Sequence, residues 1–123
     1  MMIGSNDLAR AKIFYDALFG AMGGKPGSHD EKGRVIYVHQ GSFFIVTKPI
    51  NGEPASPGNG MTIGFDVASP AEADAWHAAG VANGGTAIED PPGIRVGGLG
   101  KLYLAYLRDP DGNKLCALHA VKD

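Results

Sequence analysis

The same order of hydrophobic patterns runs twice along this 123-residue chain, and that repeat constrains the fold more than any single motif. In the first half, Ser5-Asn6-Asp7 offer side-chain oxygens that can accept from the unpaired first N–H groups of a helix. Leu8, Ala11, Tyr15, Leu18 and Met22 then step by three and four, which places one apolar stripe on a helix. Gly20 and the pair Gly23-Gly24 end it. Val35–His39 and Ser42–Thr47 are rich in Val, Ile, Tyr and Phe and flank Gln40-Gly41, which predicts a hairpin with a two-residue turn. Met1–Gly4 leaves room only for a very short first strand.

The second half follows the same order. Met61–Val67 alternates, with Met61, Ile63, Phe65 and Val67 on one side and Thr62, Gly64 and Asp66 on the other. Ser69 caps a second helix, Pro70 suits its first position, and Glu72 completes a capping-box pattern. Ala73, Trp76 and Gly80 supply its inner face, and Gly84-Gly85 end it. The Gly- and Pro-rich stretch from Glu89 to Gly100 reads as a loop that can lie as a lid over a cavity. Lys101–Leu107 and Lys114–Ala120 then form a hairpin about the turn Asp109-Pro110-Asp111-Gly112-Asn113. Between the halves, the composition turns to Pro, Gly, Asn and Ser. The reading is one domain with a first module over 1–50, a linker over 51–60 and a second module over 61–123.

Charge and composition narrow the function. The 11 basic and 13 acidic side chains are scattered, so no basic stripe exists to neutralise phosphates and nucleic acid is not an expected partner. No apolar run approaches the ~18 residues that span a bilayer. Asn6, Asp7, Arg10 and Lys12 interrupt the segment in which a signal peptide would be apolar. Cys116, the one cysteine, excludes an intrachain disulfide and suits a reducing cytoplasm. Two units that cannot each bury a core must pack together. The expected fold is α+β: paired βαβββ modules forming a curved mixed β-sheet around an open cavity, with helices outside. The small and polar side of Met61–Val67 suits the wall of a ligand cavity and equally suits a plain solvated sheet.

The runs NDLARAKIFYDALFG, GMTIGFDV and above all YLRDPDGNKLCAL resemble the vicinal oxygen chelate superfamily, which includes glyoxalase I, the extradiol dioxygenases and the bleomycin- and fosfomycin-resistance proteins. The resemblance covers Asn6 to Leu118, and the DPDGN turn paired with an N-terminal DL…FY helix is its most specific element. Pro92-Gly93-Ile94-Arg95 followed by Lys101–Tyr106 is similar to small glyoxalase-like bacterial proteins. The resemblance implies a homodimer and a divalent metal held by His, Gln or Glu at four strand positions. Carried onto this chain, the first position falls before Met1, the second near Ile45, the third on Thr62 and the fourth on Cys116. An aliphatic side chain, a hydroxyl and a lone thiol make a poor ligand set, so no cofactor is expected and a divalent metal is disfavoured. A start further upstream would restore one histidine at most.

Other chemistries find little support. His29 reads as a loop residue, His77 as an outer helix residue and His39 as lying near a hairpin turn. Cys116 and His119 are three apart on a strand and so point to opposite faces, which is poor geometry for a nucleophile and its base. Gly97-Gly98-Leu99-Gly100-Lys101-Leu102 lacks the first Gly and the Ser or Thr of a phosphate-binding loop. Arg95 is positioned to pair a carboxylate or phosphate, and of Tyr103 and Tyr106 only one can face a cavity. The expected site is therefore a metal-free pocket for a small organic molecule, lined by Thr62, Cys116, Arg95, Tyr103 and Ile45. The alternatives are a glyoxalase-type lyase or isomerase, or a dioxygenase-like metalloenzyme with an atypical ligand set. A dimeric interaction module with a collapsed cavity is the third.

Overall fold

The computed structural model describes residues 1–122, so Asp123, the last residue of the expected second module, lies outside the described residues. The first half contains β1 (Met2–Gly4), α1 (Leu8–Ala21), β2 (Ser28–His29), β3 (Val35–His39) and β4 (Ser42–Thr47). The second contains β5 (Ile63–Asp66), α2 (Pro70–Ala82), β6 (Thr86–Ala87), β7 (Gly93–Gly97), β8 (Gly100–Arg108) and β9 (Lys114–Ala120). The strands divide into two mixed sheets, one for each half. The first has the order β1-β4-β3-β2; the second runs β5-β9-β8, with β6 and β7 both on the far edge of β8. The opening strand of each half lies parallel to its last strand, and every other pair is antiparallel.

Local chemistry accounts for the elements. Asp7 caps α1 by accepting the Arg10 N–H at 3.0 Å, and Ser69 caps α2 by accepting the Glu72 N–H at 3.1 Å. Gln40 and Gly41 both take positive φ, as a two-residue turn matched to strand twist requires. Ala73, Trp76 and Gly80 are the buried residues of α2, whereas α1 buries Phe14 and Phe19 beside its expected stripe. The two halves meet through their helices and a run of rings. Phe65 lies 5.7 Å from Phe19, 5.6 Å from Phe44 and 5.9 Å from Trp76, centroid to centroid.

The DPDGN turn ties the halves together from beneath. Asp109 is buried, and its Oδ1 accepts the N–H groups of Asp111 and Asn113, both at 2.9 Å. Its Oδ2 accepts the Tyr15 hydroxyl at 2.6 Å and Asn113 Nδ2 at 2.9 Å. The turn and the FY helix, which together carry the family resemblance, are thus the two sides of one buried contact.

Three expectations need correction. The stretch 89–100 is not a loop throughout: Gly93–Gly97 pairs antiparallel with β8, and the hairpin closes at Gly98-Leu99. The long edge of β8 imposes strand geometry on a segment whose own glycines disfavour it. The first strand of the second half begins at Ile63 and not at Met61: its parallel pairing with β9 starts with Ile63 opposite Leu115. His29 lies in a two-residue strand, although it is exposed as a loop residue would be.

Candidate functional site

Each sheet turns one face to the helices and leaves the other open. On β8 and β9 the odd-numbered residues Ala105, Leu107, Leu115 and Ala117 are buried in the core. The even-numbered residues therefore form the open face. Register places Cys116 between Gly64 on β5 and Tyr106 on β8, with Leu118 opposite Leu104. Arg95 on β7 sits opposite Leu102 and so joins the same face. Gly64 contributes no side chain there, which leaves a gap in the row of side chains beside Cys116, into which the end of Leu118 reaches.

Charge surrounds this floor. Lys114 Nζ pairs with the Glu89 carboxylate and stands 5.0 Å above the Tyr106 ring centroid. Glu89 holds a left-handed backbone at φ 59°, unusual for a non-glycine residue. Arg95 Nη2 donates to the carbonyls of Asp90 at 3.1 Å and Pro91 at 2.9 Å, which fixes the guanidinium at the sheet margin.

Burial raises the Cys116 thiol above its ordinary pKa. A hydrogen bond with Tyr106 pulls the other way, Glu89 pushes upward, and the charges of Lys114 and Arg95 pull downward. Burial likewise raises the Tyr106 phenol, with Cys116 and Glu89 adding to it. Both groups are protonated at neutral pH. The thiol is therefore a weak nucleophile there, and the pair presents neutral hydrogen-bonding groups. We expect Cys116 in the native protein to react with iodoacetamide at pH 7 at least about tenfold more slowly than in urea, with its rate rising later on the pH axis than that of a free thiol. Equal rates in both states would show that neither burial nor the raised pKa protects it.

The expected site residues divide. Cys116 and Arg95 share the open face, on strands that flank β8. Thr62 precedes β5 and lines an adjoining cleft of about 440 Å³ with Arg108 and Lys114. Tyr103, expected in the cavity, faces the other way: its hydroxyl donates to Asp74 Oδ1 on α2 at 2.6 Å. Ile45 belongs to the other sheet, on the open face of the first module opposite Met2 and Ile36. Sequence reasoning missed Tyr106 as the aromatic of the open face, together with Glu89, Lys114 and Arg108. Register was the available signal, since counting outward from the turn pairs Tyr106 with Cys116 and Arg108 with Lys114.

The residues present do not fit the divalent metal that the resemblance implies. Among the described residues, no three His, Cys, Asp or Glu side chains are grouped to hold an ion. His119 lies on the face opposite Cys116, with Nδ1 3.1 Å from the Val67 carbonyl oxygen.

No protein-family model matches the chain, and no curated protein matches it. Solved structures do. The chain is 57% identical to a glyoxalase/bleomycin resistance protein from Albidiferax ferrireducens T118, with a TM-score of 0.94 over 98% of this chain and 96% of that one. A glyoxalase-related enzyme from Fulvimarina pelagi is 22% identical, with a TM-score of 0.72 over 96% of this chain and 84% of that one. Lactoylglutathione lyase from Agrobacterium tumefaciens is 21% identical, with a TM-score of 0.64 over 96% and 89%. These last two share the fold.

Proposed function

The chain belongs to the glyoxalase/bleomycin resistance protein family of the vicinal oxygen chelate superfamily, and from that premise we propose that it binds a small organic molecule, without a metal, on the open face of its second sheet. One observation carries this reading: Tyr106, Cys116 and Arg95 share the open face of the second sheet, with Leu104 and Leu118 as apolar neighbours and no side chain at Gly64. A mostly apolar concavity with a few fixed polar groups is the ordinary form of a small-molecule site. The two proton carriers are held neutral, so the arrangement suits recognition better than proton transfer.

Filling the gap at Gly64 tests the reading. An added Cβ at Gly64 would meet only Leu118 Cδ2, at 3.1 Å, the movable end of a side chain. Gly64→Leu should therefore fold while occupying the ligand's place. Thermal-shift screening with small aromatic and aliphatic molecules should find compounds that raise the Tm of the wild type and leave G64L unmoved. Equal stabilisation of G64L, or no stabilisation across the set, would remove the proposal. Turnover abolished by Cys116→Ala in a folded protein would instead establish the lyase or isomerase reading.

The proposed assembly is a homodimer. The open face of the first sheet exposes Met2 by 47%, Val38 by 60% and Phe43 by 62%, with Ile36 and Ile45 between them. A contiguous apolar face of this kind is the surface that a second copy covers. Light scattering should give a dimer for the wild type and a monomer for Phe43→Lys. A monomeric wild type, or an undisturbed F43K dimer, contradicts this assembly. No helix among the described residues is long and apolar enough to cross a membrane, and the proposed location is the cytoplasm.

A further inference from the structure

The cleft beside Thr62 lies at one end of the same open face, and its chemistry differs from the rest. Arg108 and Lys114 oppose each other across the β8–β9 ladder, one step from Tyr106 and Cys116. They form one wall, and the loop Pro57-Gly58-Asn59-Gly60-Met61-Thr62 forms the other. The loop is built against its neighbours. Pro57 stands so close to Gly112 that a Cβ there would lie 3.3 Å from Pro57 Cγ, and Gly60 takes a positive φ of 96°.

Both cations are oriented and retain free donors. Arg108 Nη1 donates to the Gly112 carbonyl at 2.8 Å, which leaves the other guanidinium N–H groups available. Lys114 is steadied by Glu89 and by the face of the Tyr106 ring. The N–H groups of Gly58, Asn59 and Gly60 have no partner among the described residues. Two oriented cations, one of them shared with Glu89, line the cleft with Thr62 and a glycine-rich loop, and cations of this kind are donors for an oxyanion. Further along the same face, Leu102, Leu104 and Leu118 offer hydrocarbon only.

We propose that this cleft binds the oxyanion head group, carboxylate or phosphate, of an amphipathic ligand whose apolar body lies along Tyr106, Leu104 and Leu118. The placement of the body rests on the function proposed above; the placement of the head group rests on the cleft alone. The open face thereby reads from a cationic mouth along an apolar floor, with Arg95 held at its margin by the Asp90 and Pro91 carbonyls, and the preferred ligand is an organic acid or a phosphate monoester of matching length.

Inorganic phosphate and acetate, each titrated against the full-length protein at constant ionic strength in chloride, test the head group first. At least one should stabilise the wild type and G64L alike, because the cleft lies beyond the filled gap. Arg108→Ala should weaken that anion about tenfold or more, as loss of a charge-assisted hydrogen bond implies, and Arg108→Lys should recover part of it. Preference for acetate or phosphate separates the two head groups. Absence of stabilisation by either anion, or stabilisation undiminished in R108A, overturns the cleft. Octanoate, octyl phosphate and octanol then test the body. Octyl anions that bind the wild type no more tightly than acetate or phosphate would refute the apolar placement and leave the cleft standing. Octanol binding as tightly as the octyl anions would refute the head-group site and leave the apolar placement standing.

Discussion

Replacing Asp109 with alanine is expected to cost about 3–5 kcal/mol, because each buried donor left unmet costs roughly 1–3 kcal/mol. Its two oxygens accept the Tyr15 hydroxyl, two turn N–H groups and the Asn113 amide, all within the protein. Total stability for a domain of this size is about 5–15 kcal/mol, so the variant should lose a large share of it and unfold at a clearly lower urea concentration. Tyr15→Phe removes one donor and leaves the turn's own bonds in place. Its cost should be about 1.5–3 kcal/mol, the range for a hydrogen bond to a charged group. Urea unfolding of both variants measures these values. A loss below about 1 kcal/mol in D109A would mean that the turn reforms without its carboxylate, and that the contact between the halves is dispensable.

Trp76→Ala should cost about 3–5 kcal/mol, the usual range for deleting a large core aromatic. Trp76 is fully buried on the inner face of α2 and lies 5.9 Å from Phe65, at the seam between the halves. Its indole Nε1 is buried with no hydrogen-bond partner. Trp76→Phe therefore gives up no hydrogen bond and keeps most of the ring volume, so it should cost less than half as much as the alanine variant. Trp76 is the chain's only tryptophan, which means that circular dichroism must follow the unfolding. Equal losses in the two variants would point to a polar role for the indole that the present geometry lacks.

Much of the fold was legible because local and tertiary preferences agree. The strands Val35–His39, Ser42–Thr47 and Lys114–Ala120 begin and end where their branched and aromatic residues meet turn residues. The helix at Pro70 is announced by its own cap. Gly93–Gly97 was hidden for the opposite reason. Only Ile94 and Val96 carry a strand signal there, and although register puts them on the Tyr103 side of the sheet, they lie at its margin and are 54% and 79% exposed. What makes this segment a strand is the neighbouring edge of β8, a tertiary cause. The site was half legible. Cys116 and Arg95 share a face because register brings their strands together. Tyr103 and Tyr106 carry identical chemistry, and only the parity set by the turn tells them apart. Ile45 and Cys116 belong to different sheets, and no local pattern states how two sheets are placed relative to each other.

The buried contact beneath the DPDGN turn also has a consequence for how the chain is made. Tyr15 waits for a partner 94 positions downstream, and the Asn6 N–H for one 105 positions away. On the ribosome, the first helix emerges long before either carboxylate exists to receive it. Until the turn segment is made, the N-terminal half holds a phenol and the Asn6 N–H without the partners they have in the folded chain. Its last native contacts form only when the final hairpin closes, and until then neither half is a finished structure. Maturation is a single late event shared by the whole polypeptide, with the slow, long-range closure that such sequence separation entails.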